Sequence, residues 1–507
     1  MSRFNLVDEK WIPVRFPDGT RHELGIRETL LLSTEIAAIE DPSPLVVAAL
    51  HRFLLAVLYR ALEGPTDIDH AKALFKEGLP NEKITNYLEK WRERFWLFDE
   101  KYPFGQNPNV PKNEIEPWTK LTAEYNATSN KVLFDHTDTK TPGTREPKEC
   151  ARWLLSTMTF SISGGRGYYP SPSPNAMMCI PLGRNLHETL CYSLVSYSNR
   201  DVMKGDTALW EREPKVLPLD NPKRMAVGYA DLYTWQSRMI RLEEVTSGGV
   251  SMMRFVAGEG FENPSNNPDP MQPYKTDETR GKLAVRFRED RGTWRDFDSL
   301  LPDNSDLAPL TLQNALRLAG NKVVYMPESV LVLGLRYEPP NANLDFWRME
   351  RYVLPAALAD NKFFRSSIRE FLGVAEDGGQ SLRSSLWKFQ RHILIRSERK
   401  REDDLRKEER VLLNKMVDAV GPLQQYWSTL EFHFHEILRE YTLDRDSEEI
   451  RCLWLKSVRN SLRVAWERHS ASLSTGDAWA IRAVVKAEGP VLAKLKELND
   501  ELQKLES

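Results

Sequence analysis

Leu455-Lys-Ser-Val-Arg-Asn-Ser-Leu-Arg-Val-Ala-Trp-Glu-Arg-His469 decides how the last third of the chain folds. Leu455, Val458, Leu462, Ala465 and His469 recur at spacings of three and four residues, which puts them on one face of a helix. Lys456, Arg459 and Arg463 repeat with the same period beside that face, so the stretch predicts a bundle helix with a basic stripe along its edge. Few acids stand near this stripe in the sequence, which makes it a candidate for phosphate contact. The plainer reading is a solvated face.

Outward from this stretch, helical spacing extends over 361–398, 402–442, 447–472 and 477–505. A break is expected near Gly378-Gly379, a kink at Gly421-Pro422 and an interruption at Gly489-Pro490. The run from Arg396 to Arg410 mixes Lys and Arg with Asp and Glu, as a salt-bridged surface does. Towards the N-terminus the pattern changes. Phe4 to Val14 and Thr20 to Leu24 read as two strands closed by an Asp18-Gly19 turn. Helical spacing follows from Thr29 to Leu62, with Leu45, Ala49, Phe53 and Ala56 on one face and a Gly64-Pro65 stop; a second helix is expected from Asn81 to Trp96. Leu283 to Phe287 reads as a strand and Phe346 to Arg351 as helix-like. The fold class is therefore α+β: a large mixed α/β N-terminal domain over 1–360, then a C-terminal four-helix bundle over 361–507.

Composition narrows the function. With 507 residues, 41% of them hydrophobic, the chain is long enough for two to four domains and a sizeable core. No apolar run approaches the roughly 20 residues that cross a bilayer, and the N-terminus lacks a signal-peptide pattern, so no membrane association and a cytoplasmic location are expected. Cys150, Cys179, Cys191 and Cys452 form no Cys-x-x-Cys pair, which argues against disulfides and thiolate zinc sites. The net charge of −3 and pI near 6.4 confine any nucleic-acid surface to a local patch. His433-Phe-His435-Glu436 spaces its histidines two apart, wrong for a helical zinc site. Phosphate-binding loops, nucleophile elbows and carboxylate clusters are missing too, so no catalytic residue, metal or cofactor is expected.

Four loops stand out. Ser161-Ile-Ser-Gly-Gly-Arg-Gly-Tyr-Tyr-Pro-Ser-Pro-Ser-Pro174 places Gly164, Gly165 and Gly167 around Arg166, then stiffens its exit with prolines. It is either a plain turn or a backbone able to approach a groove or a phosphate closely. Asp135 to Lys148, with Lys140 and Arg145, has no hydrophobic period and reads as a connection. Tyr274 to Lys282 carries Lys275, Arg280 and Lys282 and reads as a hairpin tip. Glu338-Pro-Pro-Asn-Ala-Asn-Leu344 reads as a Pro-Asn turn whose amides both donate and accept.

The opening strand, Pro103-Phe-Gly-Gln106, Leu133-Phe-Asp-His136 and Leu232-Tyr-Thr-Trp-Gln-Ser-Arg238, in that order, resemble the CasA family, the large subunit of the type I-E CRISPR surveillance complex Cascade. The resemblance covers essentially the whole chain. It implies a subunit without catalysis of its own that recognises a protospacer-adjacent motif in double-stranded target DNA, starts unwinding for R-loop formation and helps recruit a helicase-nuclease. By this resemblance Gly164, Gly165, Arg166 and Gly167 enter the minor groove, and Lys275, Arg280 or Lys282 stands where the family has a lysine finger. Asn341, Ala342 and Asn343 occupy the place of the family's wedge, usually built around a glutamine that this loop lacks. Phe134, Lys140 and Arg145 lie in the loop that docks beside the 5′ end of the guide RNA. The implied protein partners are the backbone, 5′-handle-binding and small subunits, the last beside the bundle. Two other classes stay open on the residues alone: a scaffold that binds only guide RNA and protein, and a metal-dependent nuclease, against which the missing acidic or histidine cluster counts.

Overall fold

The computed structural model describes residues 4–125, 136–138, 140–163, 167–220, 223–245, 248–262, 269–279, 281–302, 307–320, 322–338, 343–355, 358, 362–395, 405–419, 421–441, 447–472 and 477–506. The chain divides into two compact units, Met1–Glu289 with Ser299–Tyr352 and Asp290–Asp298 with Val353–Ser507.

In the first unit β1 (Ile12–Arg15) and β2 (Arg21–Leu24) pair antiparallel. Asp18 shapes their turn by accepting from the Thr20 amide at 2.9 Å, while Gly19 takes φ +87°. α1 (Ile26–Leu31) and β3 (Ala38–Ile39) come next, β3 pairing with β1. The long helix expected from Thr29 begins instead at Pro44, where Ser43 accepts from the Val46 amide as N-cap and a proline opens the first turn. This helix, α2 (Pro44–Leu62), is apolar enough to cross a membrane by length and composition, yet it is enclosed almost all round by the unit's own core. Phe53 meets Trp11, Phe104 and Trp210 with ring centroids 5.6–5.7 Å apart. Burial pushes the His51 imidazole down to about 4.

α3 (Ile68–Glu77), α4 (Asn81–Lys90), β4 (Ile115–Pro117), α5 (Pro147–Phe160), β5 (Met178–Leu182), α6 (Leu186–Ser193), α7 (Arg200–Gly205), β6 (Lys223–Arg224) and α8 (Tyr229–Tyr233) lead to a sheet of β7 (Arg238–Glu244) and β8 (Val250–Ala257), with β4 on the far edge of β8. β9 (Gly260–Phe261) runs parallel to β6, and β10 (Tyr274–Asp277) pairs with β11 (Gly281–Ala284). After α9 (Leu310–Ala319), β12 (Ser329–Glu338) lies between β5 and β13 (Asn343–Val353). Residues 346–351, read as helix-like, are therefore strand. Phe346, Trp347 and Tyr352 suit a pleated surface, and β12 supplies the backbone partner.

Two of the sequence signatures meet inside this unit. Gln236 donates to the Gly105 carbonyl at 3.2 Å, and Gln106 accepts from the Leu242 amide at 2.8 Å while donating to Leu97 at 2.7 Å. Cys150, Cys179 and Cys191 are buried free thiols, whose burial raises their titration, and Cys452 is half-buried.

The second unit holds α10 (Lys362–Leu394), α11 (Lys407–Asp418), α12 (Gly421–Glu440), α13 (Ser447–Ala471), α14 (Ala478–Ala487) and α15 (Gly489–Glu506). α10 runs unbroken through Gly378-Gly379. A Cβ on Gly378 would stand 2.3 Å from the Tyr426 hydroxyl and one on Gly379 2.2 Å from the Trp427 ring, so the glycines admit α12 rather than end α10. Trp294, from Asp290–Asp298, is buried in the same unit against Phe434, Trp427 and Trp454 at 5.3, 6.0 and 6.3 Å. Arg291 and Arg295 both reach Glu376 at 2.8 Å.

Candidate nucleic-acid interface

Within the glycine loop, Gly164, Gly165 and Arg166 lie outside the described residues. Gly167 has φ +87° with open space where a Cβ would stand. Both stems of the loop are fastened. The Ser171 amide donates to the Ser161 carbonyl at 2.9 Å, and the Ser171 hydroxyl donates to Thr159 at 2.6 Å. From β7, Arg238 forks across the stems, donating to Ile162 at 2.5 Å and to Tyr169 at 2.6 Å, with its guanidinium 5.1 Å from the Tyr168 ring. Burial pushes Arg238 down to about 10, which leaves it charged at neutral pH. The sequence shows this arginine only as part of a signature, because its partners Ile162 and Tyr169 lie far away along the chain. Beside the stems opens a cavity of about 370 Å³, lined among others by Lys120, Thr157, Tyr168 and Phe255.

The segment leaving the loop makes two further contacts. Ser173 donates to Asp269 at 2.6 Å, on the carboxylate oxygen that also accepts from buried Arg52 at 2.8 Å. Asn175 donates to the Tyr337 carbonyl at 2.8 Å and accepts from the Tyr337 amide at 3.2 Å.

Lys275 and Lys282 sit on β10 and β11, whose register sets Lys275 opposite Leu283 and Thr276 opposite Lys282. The two exposed lysines therefore occupy opposite faces of the hairpin. Arg280 lies outside the described residues. So do Asn341 and Ala342, while Asn343 opens β13. At the hairpin base, the Tyr274 hydroxyl accepts from the Asp269 amide at 2.9 Å.

In the polar stretch, Phe134 is outside the described residues and Lys140 is exposed. Asp138 accepts from the Lys140 amide at 2.9 Å and from the Thr141 hydroxyl at 2.6 Å. Arg145 is anchored: its backbone bridges Val250, and its guanidinium stands 4.4 Å over Trp118, which stacks on Trp153 at 4.9 Å. Arg145 is thus held against the unit by this aromatic pair, and Pro142 by the Trp118 ring nitrogen, which donates to its carbonyl at 3.0 Å.

The bundle stripe meets one acid from a distant helix and one that stands four residues along its own helix. Lys456 pairs with Glu506 of α15 at 2.8 Å, which raises its titration, and Arg463 pairs with Glu467 at 3.0 Å. Arg459 is met by the amide oxygens of Asn499 and Asn460 at 3.1 and 3.2 Å. His433 pairs with Glu436 at 3.0 Å along α12, and among the described residues no cluster of His, Cys, Asp and Glu could hold a metal ion.

Comparison with known proteins matches residues 5–465 to the family described as CRISPR-associated protein Cse1. A CRISPR-associated protein CasA/Cse1 of Thermus thermophilus is 32% identical over 515 residues, covering 99% of each chain. A crystal structure of CasA from Thermus thermophilus superposes with a TM-score of 0.83 at 30% identity, over 98% of this chain and all of that one. A chain of a CRISPR RNA-guided surveillance complex shares the fold alone, at TM-score 0.70 and 18% identity over 99% of both chains.

Proposed function

The chain belongs to the CRISPR-associated Cse1 family, also named CasA, and from that membership we propose that it is the non-catalytic large subunit of an RNA-guided Cascade complex that reads a short motif flanking the target in duplex DNA. The glycine loop enters the minor groove, where A·T and T·A pairs present the same acceptors, so a backbone reader there tolerates several motifs. Lys275, Arg280 and Lys282 contact phosphates or base edges beside it, and residues 341–343 act as the wedge. Unstacking one base step costs a few kcal/mol, which contacts to the separated strands must offset. Base pairing by guide RNA, held by the other subunits, then supplies sequence specificity.

Phe134, Lys140 and Arg145 dock the subunit beside the guide's 5′ end, and a recruited helicase-nuclease does the cutting, in the cytoplasm. The observation that carries the reading is the doubly fastened stem at Ser161, Ile162, Tyr169 and Ser171, which holds the two ends of the glycine-rich stretch together. In the bundle, Lys456 and Arg463 are already paired with carboxylates, so Arg459 is the stripe residue most available to phosphate.

A protein-binding role for the bundle, beside the small subunits, is favoured by one observation. Ile481 and Val485 lie one turn apart on α14 with Leu492 on α15, and all three are about half exposed or more.

The test is equilibrium binding of the reconstituted complex to guide-matched duplexes with a randomised flank. Gly165→Asp introduces a carboxylate that phosphates repel. Selection of a short motif should disappear while assembly and binding to pre-opened DNA persist. Unchanged selection would mean that the loop is only a turn.

A further inference from the structure

Between the glycine loop and β5 the chain alternates proline with small polar residues: Pro170, Ser171, Pro172, Ser173, Pro174, Asn175. The three polar residues are at most 6% exposed, and each is bonded to the base of a different loop. Ser171 closes the glycine loop against the end of α5. Ser173 binds Asp269, whose other oxygen accepts from the Met271 amide at 3.1 Å and whose amide donates to Tyr274 at the start of the basic hairpin. Asn175 grips the backbone of Tyr337, which stands one residue before the end of β12 and the Pro-Asn loop beyond it. The β5–β12 ladder ends at Met178 opposite Leu333, so this side chain continues the pairing beyond the ladder. The backbones approach closely there: a Cβ on Gly334 would lie 2.6 Å from the Ala176 carbonyl oxygen.

Each proline fixes its own φ and narrows the conformations of the residue before it. Ser171 and Ser173, each flanked by two prolines, therefore have little freedom to re-space their hydroxyls. We propose that Ser171-Pro-Ser-Pro-Asn175 is a rigid spacer that sets the separation of the three recognition loops, with Ser173 and Asn175 as positioning residues for motif reading. The inference rests on the reading of those loops as DNA-contacting elements.

The test compares Ser173→Ala, Asn175→Ala and Asn314→Ala in the reconstituted complex. Asn314 is an equally buried amide that donates to the carbonyls of Cys191, Tyr192 and Leu194, away from all three loops. Ser173→Ala should lower the preference for motif-bearing over motif-free duplex by about tenfold, the loss expected of one buried hydrogen bond, and Asn175→Ala, which removes two, by at least about tenfold, with binding to pre-opened DNA unchanged. Asn314→Ala should lower the melting temperature similarly and leave the preference intact. Equal effects from all three variants, or none from Ser173→Ala and Asn175→Ala, overturn the proposal.

Hydrogen exchange on the full chain alone provides a readout independent of DNA. Asn175→Ala should speed exchange at the Ser171 and Met271 amides as well as at Tyr337; a change confined to Tyr337 overturns the spacer. If Gly165→Asp destroys the preference and Asn175→Ala does not, the spacer fails and the DNA reading stands. If Gly165→Asp itself leaves the preference intact, the DNA reading fails and takes the recognition role of the spacer with it.

Discussion

Arg238 holds its charge against three backbone carbonyls, those of Ile162, Tyr169 and Ser237, and an aromatic face, an arrangement that favours geometry over stability. Desolvation works against the cation, as its lowered titration records, and the carbonyls return only part of the lost hydration. Arg238→Met should leave the Ile162 and Tyr169 carbonyls without that donor, at a cost of about 1–3 kcal/mol on each fully desolvated group. Because relief of the buried charge acts in the opposite sense, the net loss of stability in a denaturant melt should be smaller than that sum. The informative signal is local: faster hydrogen exchange across 161–171 with little change in α2. Arg238→Lys should give an intermediate result, since an ammonium keeps the charge but cannot reproduce the planar fork. The order of the signatures was legible in the sequence, as was their resemblance to one family. The clamp was not, because Ile162 and Tyr169 lie 76 and 69 residues away and only folding brings them to Arg238.

Among the elements, those with a strong local signal follow the sequence closely. The Asp18-Gly19 hairpin, the interruption at Gly489-Pro490 and the apolar face of α13 are set by turn chemistry and by period, and each appears where expected. Residues 346–351 departed from expectation because short aromatic-rich runs carry no decisive period, and pairing with β12 settles them. Gly378-Gly379 departed for another reason: two glycines look like a stop from within the helix, whereas their role is read only from α12. Replacing Gly379 with Ala sets two effects against each other. Helix propensity favours alanine by about 1 kcal/mol, while a Cβ 2.2 Å from the Trp427 ring forces repacking that costs about 1–3 kcal/mol. A net loss of stability by chemical denaturation is therefore expected, and a gain would show that Trp427 moves aside freely.

Over the whole molecule, the chain divides into compact units between Tyr352 and Val353, with Asp290–Asp298 grouped in the second. No local pattern marks that segment as belonging with helices that begin some 60 residues later. Its allegiance comes from Trp294, fully buried among Phe434, Trp427 and Trp454, and from Arg291 and Arg295 on Glu376. Trp294→Ala should cost about 3–5 kcal/mol, as large-to-small changes in cores do. Hydrogen exchange should report the loss in α12 and α13 and spare β7 and β8; a uniform effect across both units would contradict this assignment. The same segment bears on the order of synthesis. A ribosome releases Trp294 before any helix of α10 to α15, so this indole has no completed pocket while the rest of the chain emerges. A fragment that starts at residue 353 would lack the ring altogether, and the C-terminal helices would then gather around a hole the size of an indole.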